Sequence, residues 1–194
     1  MKILLTAINA KYIHSNLAVY CLRAYASKQL NAFEDALTEK CNGQKYINIE
    51  IAEYTINQQM EDIMMDIYER KPDVLCLSCY IWNLQYVESL VREIHKVCPD
   101  MPIWLGGPEV SYDAKEVLDR LPEVTGVMMG EGEKTFAELC EFYRQIKELK
   151  DIDGITYRTK YGDIVENPWR MPMDLSEVPF GHEVMGPDAM IFVF

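Results

Sequence analysis

Two glycine turns carry most of the chemistry this sequence offers. Gly106-Gly107-Pro108-Glu109 follows the apolar run Pro102-Ile103-Trp104-Leu105, and Gly130-Glu131-Gly132-Glu133 follows Gly126-Val127-Met128-Met129. Glycine removes the Cβ and permits positive φ, so backbone at such turns can lie flat against a bulky ligand. If both runs are neighbouring parallel strands, the turns stand side by side at the carboxyl edge of one sheet, where open α/β folds bind ligands. Two further segments reach the same edge, Asn9-Ala10-Lys11-Tyr12-Ile13-His14-Ser15-Asn16 and Ser78-Cys79-Tyr80-Ile81-Trp82-Asn83. Together they mix small residues, amide and hydroxyl donors, and aromatic surface. A phosphate cradle would carry Lys or Arg, or a Gly-rich helix start without two carboxylates. Lys134 is the only basic residue beside the last turn, so a nucleoside triphosphate fits poorly. Glu131 and Glu133 suit hydroxyl or amide donors on a ligand, or else serve only as charges at a helix N-terminus.

The elements that must position these loops follow from periodicity. Short apolar runs alternate with longer segments of helical period, the pattern of β-α-β crossovers and a parallel sheet. Strands are expected at Lys2 to Ile8, Tyr46 to Tyr54, Val74 to Ser78, Pro102 to Leu105 and Gly126 to Met129. The second alternates apolar and polar residues, as an edge strand does. Helices are expected from Asn16 to near Asn42-Gly43, Gln58 to Arg70, Asn83 to Val97, Tyr112 to Leu121, and Gly132 to Leu149. The result is an α/β, doubly wound parallel sheet of five strands, with all five exits on one edge. From Asp151 the texture changes: Gly154 to Arg158 and Asp163 to Val165 flank Lys160-Tyr161-Gly162 as a small hairpin, and a Pro- and Met-rich linker follows Glu166. Residues 1–150 are therefore expected to form the ligand-binding domain and residues 151–194 a hairpin and linker.

A net charge of −12 and a pI near 4.7 argue against binding nucleic acid, which needs a basic footprint. The apolar start ends at Asn9, too short for a signal peptide or a membrane span. The six cysteines are scattered through helix-like and strand-like segments and read as reduced thiols of a cytoplasmic protein.

The order of a first loop with His14, Ser78 at the third strand's end, Gly106-Gly107 after the fourth and Gly130-Glu131-Gly132-Glu133 after the fifth resembles one family. It is similar to the cobalamin-binding domain of cobalamin-dependent radical S-adenosylmethionine enzymes, over about residues 1–150. The resemblance implies a Rossmann-like, flavodoxin-like fold that holds the corrin above the strand ends, its nucleotide tail descending into the sheet edge. It also implies the cofactor-binding set Asn9, Tyr12, His14, Ser15, Asn16, Ser78, Cys79, Tyr80, Asn83, Gly106, Gly107, Pro108, Glu109, Gly130, Glu131, Gly132 and Glu133. A bulky residue at Gly107 is expected to fill the tail groove and leave the fold intact.

Two departures from the family pattern matter. Members that ligate cobalt through histidine carry Asp-x-His-x-x-Gly in the first loop, whereas this chain has Tyr12-Ile13-His14-Ser15-Asn16-Leu17. A metal-bound His wants an acceptor on its other nitrogen. His14 is therefore not expected to ligate cobalt, which leaves the lower face five-coordinate, water-bound or shielded by Tyr12 or Tyr80. The second departure is that the C-x-x-x-C-x-x-C run for a four-iron, four-sulfur cluster is absent. The final Ala189 to Phe194 resembles the strand that precedes it, so the cluster and S-adenosylmethionine are expected in a further domain of a longer chain. This portion should then bind a cofactor without catalysing a reaction. Cys76 and Cys79 read as strand-end packing, not a redox pair. The rivals are a flavin mononucleotide electron carrier, which would want a Ser/Thr-rich first loop, and a cofactor-free receiver-like domain, which would want clustered acidic residues there.

Overall fold

A continuous apolar run makes a strand whose two faces are both covered, and two such runs lie side by side inside the sheet. In the computed structural model, which describes residues 1–11, 15–36 and 46–179, β1 (Lys2–Asn9) and β3 (Val74–Ser78) lie side by side and parallel. Beyond β1 stands β2 (Asn48–Thr55), the expected edge strand; beyond β3 stand β4 (Ile103–Gly106) and β5 (Gly126–Met128). The five are parallel in the order β2-β1-β3-β4-β5. Chain direction across the sheet reverses between β1 and β3, which makes that crevice the topological switch point.

Helices α1 (Leu17–Ala36) and α6 (Glu133–Tyr143) cover one face. Helices α2 (Met60–Arg70), α3 (Leu84–Val97), α4 (Pro108–Ser111) and α5 (Ala114–Arg120) cover the other. Two buried cores result, Ile3, Leu5, Val74, Cys76, Trp104 and Phe136 under α1 and α6, and Leu4, Leu75, Leu77, Leu90, Leu105 and Val117 under the rest. Alternate residues of one strand serve opposite cores, as the pleat requires.

Three features differ from the expected layout. The hairpin β6 (Ile155–Arg158) and β7 (Ile164–Glu166) is no appendage: β6 pairs antiparallel with β5, so the sheet has seven strands. Three-residue β5 would otherwise expose its outer edge, and the hairpin covers it. The helix expected from Tyr112 to Leu121 is α5, and an unforeseen short helix, α4, precedes it, because Pro108 sits in the first turn and starts a helix directly after Gly107. Finally α6 stops at Tyr143, short of the expected Leu149, and Gln145 turns the chain with φ +64°.

From residue 167 to residue 174 the chain runs without helix or strand, and it is tied to the domain. Asn167 Nδ2 donates to the carbonyls of Leu149 and Ile152, both at 2.7 Å. The Arg170 guanidinium, nearly buried, donates to Thr135 Oγ1 at 2.9 Å and forms an ion pair with Glu138. The end expected for the first helix at Asn42-Gly43, Cys41, and the strand-like run Ala189 to Phe194 lie outside the described residues.

Candidate functional site

Where the strands of the α1/α6 face end, a groove of about 430 Å³ opens at the carboxyl edge of the sheet. Leu5, Cys76 and Met128 form its floor, and Ala18, Val19 and Leu22 of α1 its wall. Its lips are the two glycine turns: Gly106, Gly107 and Pro108 on one side, and Gly130, Glu131, Gly132 and Glu133 on the other. Burial pushes the Cys76 thiol up to about 12, so the floor stays uncharged at neutral pH.

The lips are fastened to each other. Ser111 Oγ donates to the Gly107 carbonyl at 2.8 Å and accepts from the Gly130 N–H at 3.2 Å. Gly107 itself is fixed by close approach: it holds φ +110°, and a Cβ there would lie 2.5 Å from the Cys79 carbonyl oxygen. A larger residue at Gly107 therefore disturbs the backbone, contrary to the expectation that it would only fill the groove. At Gly106 a Cβ would meet nothing closer than Met128 Cε at 3.5 Å, so that position is open toward the groove. Trp169 lies over Gly130 and against Tyr112, their ring centroids 5.5 Å apart, while the Met173 N–H donates to Glu131 at 3.0 Å.

At the switch point the side chains form a connected network. Asn83, almost wholly buried, donates from Nδ2 to the carbonyls of Ile8 and Ser78 and accepts the Tyr80 N–H on Oδ1, pinning β1 to β3. On β2, Glu53 accepts from Asn9 Nδ2 at 2.9 Å, the Asn16 N–H at 2.7 Å and the Tyr20 hydroxyl at 2.7 Å. Burial, then the hydrogen bond to Glu53, raises the Tyr20 phenol to about 12. Asn16 Nδ2 donates to Ser78 Oγ at 3.2 Å, and its Oδ1 accepts the Ala18 N–H at 3.1 Å.

Of the residues singled out in the sequence, Ser78, Tyr80, Gly106, Gly107, Pro108, Gly130, Glu131, Gly132 and Glu133 line the groove. Asn9, Asn16 and Asn83 belong to the network behind it, where Ser15 reaches the Tyr20 phenol. Glu109 and Cys79 are not among the lining residues. Cys79 packs into the core of the opposite face from Cys76, which separates the two thiols of the C-x-x-C spacing. Tyr12 and His14 lie outside the described residues. The sequence reading missed the floor, the α1 wall, Ser111 and Tyr112. The apolar period after Asn16 marked the α1 residues, but as core and not as a groove wall.

Residues 3–140 match the model of the B12 binding domain family. The chain belongs to that family. Cobalamin is the cofactor of this B12-binding domain. Its relatives include 2-(S-pantetheinyl)-carbapenam-3-carboxylate methyltransferase of Streptantibioticus cattleyicolor, 40% identical over 68 residues, which are 35% of this chain and 10% of that protein. Cobalamin-dependent radical SAM methyltransferase TokK of Streptomyces tokunonensis is 33% identical over 82 residues, 42% of this chain and 11% of that one. The solved structure of the cobalamin-dependent S-adenosylmethionine radical enzyme OxsB, with aqua-cobalamin and S-adenosylmethionine bound, superposes with a TM-score of 0.70 at 19% identity, covering 92% of this chain and 23% of that chain. The radical S-adenosylmethionine methyltransferase TsrM from Kitasatospora setae, with cobalamin and a [4Fe-4S] cluster bound, gives a TM-score of 0.58 at 17% identity, over 92% of this chain and 30% of that one. This B12-binding domain thus spans only a minor part of each.

Proposed function

We propose that the groove takes the nucleotide tail of cobalamin, with the corrin over the strand ends, and that the domain serves a longer cobalamin-dependent radical S-adenosylmethionine enzyme. The stretch after the hairpin, from residue 167, then leads toward the domain that carries the iron–sulfur cluster and S-adenosylmethionine. The observation that carries this reading is the groove itself: glycine lips, an uncharged floor and an opening at the switch-point edge. A Cβ at Gly106 would meet the floor residue Met128 at ordinary contact distance, 3.5 Å, so a side chain there is accommodated by the strand and takes space from the groove. When bound, cobalamin supplies a cobalt centre able to carry a methyl group or take part in a radical step.

The chain's own residues bind and orient. The Gly106-Gly107 and Gly130-Gly132 turns admit the tail against bare backbone, and Leu5, Cys76 and Met128 exclude water beneath it. Tyr80, stacked on Trp82 with centroids 4.5 Å apart, offers a flat aromatic surface at the mouth, where the corrin would rest. The test is retention. The purified chain is incubated with hydroxocobalamin or with flavin mononucleotide, desalted, and its visible spectrum recorded. Corrin bands are expected; retained flavin, or a colourless protein, overturns the reading. Gly106→Val narrows the groove without a backbone clash and is expected to weaken cobalamin retention by roughly tenfold or more, with the far-UV circular dichroism spectrum unchanged.

A further inference from the structure

The residues matched by the B12 binding domain family end at 140, yet one wall of the groove is held from beyond them. Tyr112 lines the groove and is 81% exposed. An aromatic ring with so little packed on it samples several rotamers, and a ligand that uses it must pay to order it. Among the described residues, the ring packed on Tyr112 is Trp169, with centroids 5.5 Å apart and the planes tilted by 32°. Trp169 rests in turn on the Gly130 turn, where a Cβ would stand 3.5 Å from its six-membered ring. One indole therefore touches both a lip of the groove and a ring that lines it.

Trp169 can hold Tyr112 only if its own backbone is held, and it is anchored on both sides. Before it, Asn167 Nδ2 is bound to the carbonyls of Leu149 and Ile152, and the Pro168 carbonyl accepts the Gly154 N–H at 2.8 Å. After it, Arg170 donates to Thr135 Oγ1 and to the Asp153 carbonyl, both at 2.9 Å, and the Met173 N–H donates to Glu131 on the lip. The Met173 side chain packs against the core under α1 and α6. Among the described residues, the Trp169 indole N–H has no acceptor. What this position contributes is a flat ring, in contact with Gly130 and Tyr112.

We infer that Trp169 is a positioning residue of the cofactor site: it sets the Tyr112 ring at the groove, so the binding unit runs through Met173 and is incomplete without the stretch after the hairpin. This deepens the cobalamin reading and rests on it. A ring ordered before the ligand arrives lowers the entropy cost of binding. An aromatic face fixed in this way selects a flat, apolar part of the ligand.

Hydroxocobalamin is titrated into the 194-residue chain and into its Trp169→Ala, Trp169→Leu, Trp169→Phe, Tyr112→Ala and Trp169→Ala/Tyr112→Ala variants. The visible spectrum gives Kd, and thermal melting reports the fold. Trp169→Ala and Tyr112→Ala are each expected to raise Kd about three- to tenfold, the worth of an aromatic pair, and the double variant no further. Trp169→Phe keeps a ring and should recover most of the affinity, whereas Trp169→Leu keeps apolar bulk alone and should not. The proposal falls if Trp169→Ala binds as the parent does, or if Leu restores binding as well as Phe. It falls also if the two losses multiply in the double variant, because Trp169 would then act independently of Tyr112. Should Trp169→Ala not fold, Trp169→Leu takes its place, alone and combined with Tyr112→Ala. A parent chain that binds no cobalamin overturns the cofactor reading itself, whereas a parent that binds with no Trp169–Tyr112 coupling overturns only this one.

Discussion

At Gly107 one missing methyl group decides whether the β4 exit can lie against β3. The nearest obstacle to a side chain there is backbone, the Cys79 carbonyl oxygen 2.5 Å from where a Cβ would stand, and φ is +110°. Gly107→Ala is therefore expected to lose roughly 1–3 kcal/mol, measured by urea unfolding. Gly106→Val, one residue earlier, should cost ligand and not fold, and the contrast separates a glycine needed by the backbone from one needed by the groove. Tyr20 gives a residue-scale prediction in pH. Its folded pKa, raised to about 12, stands above its ordinary value of 10.0. The folded chain thus holds the phenolic proton more tightly than the unfolded one. Stability from this group is complete below about pH 10 and is lost as pH rises toward 12. Tyr20→Phe should lower stability at neutral pH and flatten its decline over that alkaline window, followed by unfolding at stepped pH.

Elements with clear punctuation were legible. Val74 to Ser78 is bounded by Lys71-Pro72-Asp73 and by a polar exit, and it is a strand over those same residues. Helix α3 begins directly after Asn83, as its period indicates. Less legible were the features that depend on distant partners. The Gly-Pro pair after β4 reads as a turn, but only the packed structure shows that Pro108 opens a helix. The hairpin's attachment depends on the unpaired edge of β5, a long-range matter invisible in either segment alone. Glu53 falls on the same side of β2 as Ile49 and Ile51, so a carboxylate interrupts the apolar face there; that break was a local signal, but its partners Asn9, Asn16 and Tyr20 could not be read from β2 alone. The glycine lips were readable because glycine's chemistry is local; the groove wall on α1 was not, because one apolar helix face serves core and cavity alike.

For the whole molecule, the segment after β7 joins two regions that sequence kept apart. Arg170 grips α6 through Thr135 and Glu138, and Trp169 and Met173 reach the Gly130 turn on either side of it. Arg170→Ala removes a nearly buried guanidinium and takes from Glu138 one of its cations, leaving the ion pair with Lys147. A loss of about 2 kcal/mol is expected, together with faster trypsin cleavage at the nearby Lys147 and Lys150; cleavage at the parent's rate would show that the segment is not held through Arg170.

The chain has three tryptophans, and their placement has an optical consequence. Trp104 is fully enclosed beneath α6, its indole N–H donating to the Tyr143 hydroxyl. Trp82 and Trp169 are partly exposed, one stacked on the groove residue Tyr80 and the other lying over Gly130. Corrins absorb in the near ultraviolet, where indoles emit. A corrin seated at this mouth would quench all three by energy transfer, which reaches a buried indole as readily as an exposed one, so the domain carries its own fluorescence gauge of occupancy.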